Sequence, residues 1–224
     1  ESSVEGIKTW ISSQPKNNPP ELAARLSEAI AELTAECKDP EVLTVFLELI
    51  QPTVLSATKE FEAYQPSKIK RLENYHLQRK FFFNVGTLIL NAITIDSKKA
   101  LKKNAENAAL AAEFFCRSIY VSNKLYCVPK GGSWQNLHRS YGLWVKSNKA
   151  TKNADENNDP TRSYRATLVL NCLSNFDANP SCLDSLYTFL KDVNTLISIT
   201  AAPTDATTHT FSLSVDAAPK RYQL

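Results

Sequence analysis

Three histidines and five cysteines are the side chains from which a metal site, a general base or a nucleophile would be drawn. His76, His138 and His209 stand far apart in the chain. None belongs to an HExxH element, and no two are spaced to face one metal from one helix. Cys37, Cys116, Cys127, Cys172 and Cys182 form no CxxC, and none lies at metal-ligand spacing from a His. Cysteines so dispersed read as small apolar residues of a protein kept in a reducing cytoplasm. The carboxylate pair Asp155-Glu156 lies in a polar, turn-rich stretch, where nothing desolvates it to tune a pKa. Gly131-Gly132 is explained by a turn, and no GxSxG, Walker or GxGxxG sequence occurs. The expectation is therefore no catalytic residue, no metal site and no cofactor in this chain.

The elements around these residues are signalled by a recurring helix start. Asn18-Pro19, Asp39-Pro40, Asp159-Pro160 and Asn179-Pro180 each set an N-cap side chain before a Pro. The Asn or Asp oxygen accepts an orphan N–H of the first turn, and Pro has no N–H to leave unpaired. Apolar residues follow at helical spacing: Leu22, Leu26, Ile30 and Leu33, then Val42, Phe46, Leu49 and Phe61, with Pro52 expected to kink or divide the second run. A third run from about Ile69 to Ile95 places Leu72, Phe82, Gly86, Ile89 and Ile93 on one side. A fourth, from about Lys98 to Cys127, is alanine-rich before Phe114 and Phe115. Ser133 is the expected cap of a helix from Trp134 to about Lys146, on which Trp134, Leu137, His138 and Tyr141 share a stripe. His138 reads there as a packed, hydrogen-bonded imidazole, with a pH- or partner-sensing ring as the functional alternative. Two further helices are expected, through Tyr164, Leu168, Cys172 and Phe176 and through Leu183, Leu190 and Ile197.

The fold class is thus mainly α: an antiparallel array of about seven helices with a short C-terminal β or extended segment. Residues 1–18 read as an N-terminal extension, 19–197 as the helical domain and 198–224 as an extended segment leading to a further domain. Within the last, His209–Val215 alternates as a strand would, with a partner expected near 197–200. The chain begins at Glu1, contains no Met and stops without a closing element, as part of a longer protein is expected to. Only 5 Gly among 224 residues argue against a phosphate-cradling α/β fold. The net charge of +3 comes from interspersed signs, Lys98-Lys99 with Lys102-Lys103 being the densest run, so no nucleic-acid face is expected. The apolar stretch Phe81–Ile95 is too short to span a membrane and carries Asn84, Thr87, Asn91 and Thr94, so no span is expected.

Three segments carry a resemblance: residues 18–26, then GSWQNLHRSYGLW from Gly131 to Trp144, then the stretch from Arg162 to Ser181 with its Asn179-Pro180 break. Together they resemble the helical N-terminal region of bacterial proteins that carry a C-terminal PilZ domain, cytoplasmic receptors for cyclic di-GMP. The most specific element is Trp134-x-x-Leu137-His138-x-x-Tyr141, which the resemblance offers as family-motif residues of structural character. PilZ domains bind cyclic di-GMP through RxxxR and (D/N)xSxxG motifs. Neither occurs here, and Arg162-Ser-Tyr-Arg165 has the wrong spacing. The resemblance implies that the nucleotide belongs to a PilZ domain beyond Leu224. The expected function is a non-catalytic regulatory domain presenting a helical surface to a protein partner, next to that PilZ domain. A sensor with an apolar pocket among Phe81–Phe83 and Phe114–Phe115 is the alternative, and an enzyme with an unrecognised site a remote one.

Overall fold

A computed structural model describes residues 2–94, 101–125, 127 and 129–151, together with short β segments between residues 197 and 223. Among the described residues six helices carry the architecture: α1 (Ser2–Ser12), α2 (Pro19–Glu36), α3 (Pro40–Ala63), α4 (Arg71–Asn91), α5 (Leu101–Lys124) and α6 (Ser133–Thr151). The protein is mainly α-helical, as its sequence pattern predicts. Helix α1 lies in the stretch read as an extension. The two helices expected between 160 and 197 lie outside the described residues.

The predicted starts of α2 and α3 are both realised. Asn18 Oδ1 accepts the Glu21 N–H at 3.3 Å while Asn18 Nδ2 donates to Glu21 Oε2 at 3.2 Å, a reciprocal cap. Asp39 Oδ1 accepts the Glu41 N–H at 2.9 Å. Helix α4 begins differently, after Lys70, with no side-chain cap. Ser133 does not cap α6: its hydroxyl is buried without a partner, and the Gly132 carbonyl accepts the Asn136 N–H at 2.8 Å instead. Gly132 has φ +85°, a left-handed conformation that glycine adopts without a Cβ clash.

Helix α4 is central and packs against α2, α3, α5 and α6. Its buried stretch Phe81–Leu90 meets Leu26 and Ile30 of α2, Leu47 and Phe61 of α3, and Phe114, Phe115 and Ile119 of α5 in one core. A line of rings runs through it, with centroids 6.4 Å apart for Phe61–Phe81, 5.6 Å for Phe81–Phe82 and 6.1 Å for Phe82–Phe114. The buried alanines 108, 111 and 112 of α5 are the face its composition predicts. Polar groups inside are satisfied across helices: Asn84 Nδ2 donates to Ser27 Oγ at 2.8 Å, and Ser118 Oγ to the Arg79 carbonyl at 2.9 Å.

Helix α3 is not divided at Pro52, and its buried stripe differs from the expected one. It runs unbroken through Pro52, because Pro52 and Glu48, whose carbonyl loses its helical donor, are both on the exposed side where water takes over. Its buried stripe is Leu43, Leu47, Ile50, Val54, Ala57 and Phe61, displaced from the predicted Val42, Phe46 and Leu49, and Val42 is 50% exposed. Helix α3, and not the stretch Phe81–Ile95, is long and apolar enough to cross a membrane by length and composition. In this fold α3 lies against α1, α2 and α4, with Glu48 paired to Lys103 and Glu62 to Arg117.

Near the C-terminus β2 (Ala201–Pro203) pairs antiparallel with β3 (His209–Phe211). β5 (Tyr222–Gln223) pairs antiparallel with β4 (Ser214–Val215) and parallel with β1 (Ile197–Ser198). The strand expected over 209–215 is thus two short ones, and the partner of the first is 201–203, just beyond the expected 197–200.

Candidate interaction cleft

Three element ends converge on a cleft of about 330 Å³. Helix α3 stops at Ala63, Tyr64 turns to extended backbone (φ −68°, ψ 129°), and Pro66 two residues on cannot continue the helix. The chain then crosses to the uncapped start of α4, whose Arg71, Asn74, Tyr75, Gln78 and Phe82 recur at helical spacing along one wall. The last two turns of α5 supply Arg117, Tyr120, Val121 and Lys124 opposite. Glu62, Tyr64, Gln65 and Pro66 complete the lining.

The cleft is cationic. Arg117 is committed: its Nε lies 3.1 Å from Glu62 Oε1, its Nη1 3.6 Å from Glu113 Oε2, and its guanidinium sits over the Phe114 ring at 5.1 Å. Burial pushes the Glu113 carboxyl above the usual carboxylate range, with Arg117 pulling the other way. Lys124 Nζ stands 4.5 Å from the Tyr120 ring centre and 5.5 Å from that of Tyr75. Among the described residues neither Lys124 nor Arg71 joins an ion pair. Asn74 is 8% exposed, and its Nδ2 is a buried donor with no partner. Gln78 is occupied, donating to the Phe61 carbonyl at 3.3 Å. Elsewhere Lys130 stands 5.0 Å over Phe83, and burial, helped by the Lys80 and Arg79 cations, pushes its pKa down.

Among the described residues no Ser, Cys or His lines the cleft, and the side chains that do offer positive charge, amide groups and aromatic faces. Among the described residues no three His, Cys, Asp or Glu side chains gather as a metal site would require. His76 is exposed on α4 and His209 lies in β3.

The motif on α6 is only partly visible. Leu137 is fully buried in the core. Trp134, His138 and Tyr141 share its helix, at positions one turn apart, and their side chains lie outside the described residues. So do Asp155-Glu156, Arg162, Arg165, Cys172 and Cys182.

Residues 5–204 match the family model described as the N-terminal domain of the cyclic-di-GMP receptor FimW. The chain belongs to that FimW N-terminal domain family. No curated protein and no solved structure matches the chain. The family match spans α2 to α6 whole and most of α1. It agrees with the resemblance carried by residues 18–26, 131–144 and 162–181.

The chain carries its cleft on residues the sequence motifs do not single out. Arg71, Asn74, Lys124 and the three tyrosines are scattered over some sixty positions. The one local signal is Lys68-Ile69-Lys70-Arg71-Leu72, a basic-apolar run next to the cleft. It stands out less than the lysines at 98–103 and carries no catalytic pattern.

Proposed function

We propose that this chain is the non-catalytic regulatory domain of a bacterial cyclic di-GMP receptor, working in the cytoplasm without a membrane span of its own. Its role is to offer a helical surface to a protein partner and to couple that contact to the state of a neighbouring PilZ domain, which holds the nucleotide. No cofactor or nucleic acid is needed in this role. The family match over residues 5–204 carries the reading. A cationic cleft with a buried, unpartnered amide, opening beside exposed apolar side chains, supports it.

The sensor alternative places an apolar ligand among Phe81–Phe83 and Phe114–Phe115. Phe81, Phe82, Phe114 and Phe115 are fully or almost fully buried, and neighbouring rings in the cluster stand 5.6–6.1 Å apart. Such rings occupy the space that a ligand would need, which favours the interaction reading. The deciding experiment is affinity capture with the full-length receptor, with and without cyclic di-GMP. The expected result is a partner whose recovery changes with the nucleotide. Equal recovery in both conditions removes the coupling.

A further inference from the structure

We propose that the cleft between α4 and α5, with its rim Tyr64–Leu72, is the docking site for an acidic peptide segment bearing an apolar anchor, supplied by a protein partner. This deepens the proposed interaction role and rests on it. Of the six large hydrophobic side chains exposed in the described structure, three belong to this rim: Ile69 at 90%, Leu72 at 63% and Tyr64 at 39%. A monomeric surface does not usually gather such groups beside a cavity without a use for them. The same rim carries Lys68, Lys70 and Arg71, all exposed, and the exposed Lys124 lines the same cleft as Arg71. None of these four cations joins an ion pair among the described residues. The acid lining the cleft, Glu62, is bound to Arg117.

The cleft floor gives the segment its register. The exposed or part-exposed rings of Tyr64, Tyr75 and Tyr120, over the buried Phe82 and Val121, take an aliphatic or aromatic side chain, and Asn74 Nδ2 is a buried donor waiting for a carbonyl or carboxylate oxygen. A cavity of 330 Å³ is the size of an anchor side chain with its backbone. The exposed apolar patch beside it needs a ligand that continues past the cavity, which a small anion does not. Charge complementarity then selects acidic residues flanking the anchor.

The probe is a fluorescein-labelled peptide with Glu residues flanking a Leu-Phe pair, compared by anisotropy with a counterpart in which every Glu is Lys. Titrated with the full 224-residue chain, the acidic peptide is expected to bind saturably and more weakly as salt rises, and the basic one not to bind. The double variant Arg71→Glu, Lys124→Glu should lose affinity by about tenfold or more. Ile69→Ser should lower it with no change in charge, and Val42→Ser, on the outer face of α3, should leave it intact. These side chains are exposed, and circular dichroism checks that each variant stays folded.

Equal binding of both peptides, or undiminished binding by the charge-reversed variant, overturns the proposal. So does saturable binding of adenosine monophosphate where the acidic peptide fails, which assigns the cleft to a small anion. If the peptide fails while nucleotide-dependent capture by the full-length receptor succeeds, the interaction role stands and its surface lies elsewhere. If capture fails while the peptide binds, the cleft stands and the coupling falls.

Discussion

Gly86 sits where the α4 backbone meets a ring of α5. A Cβ on it would stand 3.0 Å from Phe115 Cζ and 3.1 Å from Cε1, inside ordinary contact distance. Phe115 is fully buried, with the Phe83 ring 5.8 Å away edge-on, so it has little room to retreat. Overpacking of this kind costs about 1–3 kcal/mol, against a helix-propensity gain of about 1 kcal/mol for Gly→Ala. Gly86→Ala is expected to lower the denaturant midpoint, and an unchanged or higher midpoint would show that Phe115 yields. Glu113 offers a test by pH. The folded chain holds this proton more tightly than the unfolded one, because burial outweighs the pull of Arg117. A raised pKa contributes stability at acid pH that is lost as pH rises through the raised value. Glu113→Gln has no such proton to lose. The Tm of the variant relative to the parent should therefore climb from acid towards neutral pH, and a flat difference would contradict the shift.

At the scale of the helix, α3 carries its own weak point. Pro52 lies inside it on the exposed side, with no packing role that its ring alone fulfils. An interior Pro costs about 3 kcal/mol relative to Ala, so Pro52→Ala should raise stability by up to that amount in urea unfolding. A loss on substitution would mean that Pro52 contributes to the seating of Leu47 and Val54. The opposite change is available at the start of the same helix. Asp39→Ala removes the acceptor for the Glu41 N–H and should cost about 1 kcal/mol. Because Pro40 needs no N–H partner and the rest of the helix is held by its buried stripe, the loss is confined to that cap.

The described helices are organised about α4, and their opening should follow that order. Residues 81–90 are enclosed by α2, α3 and α5, whereas the start of α4 is uncapped and exposed at Lys70–Leu72. In native-state hydrogen exchange the amides of 84–90 and of 112–119 should be among the slowest. Those of 71–73 should exchange by local fraying. Equal protection along α4 would deny that its first turns are a separate, looser unit. Such a unit is suited to a docking rim, because a partner can order it without disturbing the core.

Much of this was readable in the chain. Asn18-Pro19 and Asp39-Pro40 mark two helix starts because capping is local chemistry, settled within three or four residues. The stripe of α2 and the alanines of α5 are legible because their neighbours leave one apolar face. In α3 the sequence is apolar on two sides, and Val42 and Leu43 are equal candidates. Only contact with α2 and α4 decided that Leu43 turns inward and Val42 outward. Ile69 and Leu72 look like core residues by periodicity and are exposed, because the core of α4 begins deeper, at Phe81. Ser133 has the type of a cap and is buried without that bond, since Gly132 already supplies the acceptor. The cleft was not legible at all. Arg71 and Lys124 become neighbours because the start of α4 packs beside the end of α5, a pairing of distant positions that burial enforces and no local pattern encodes.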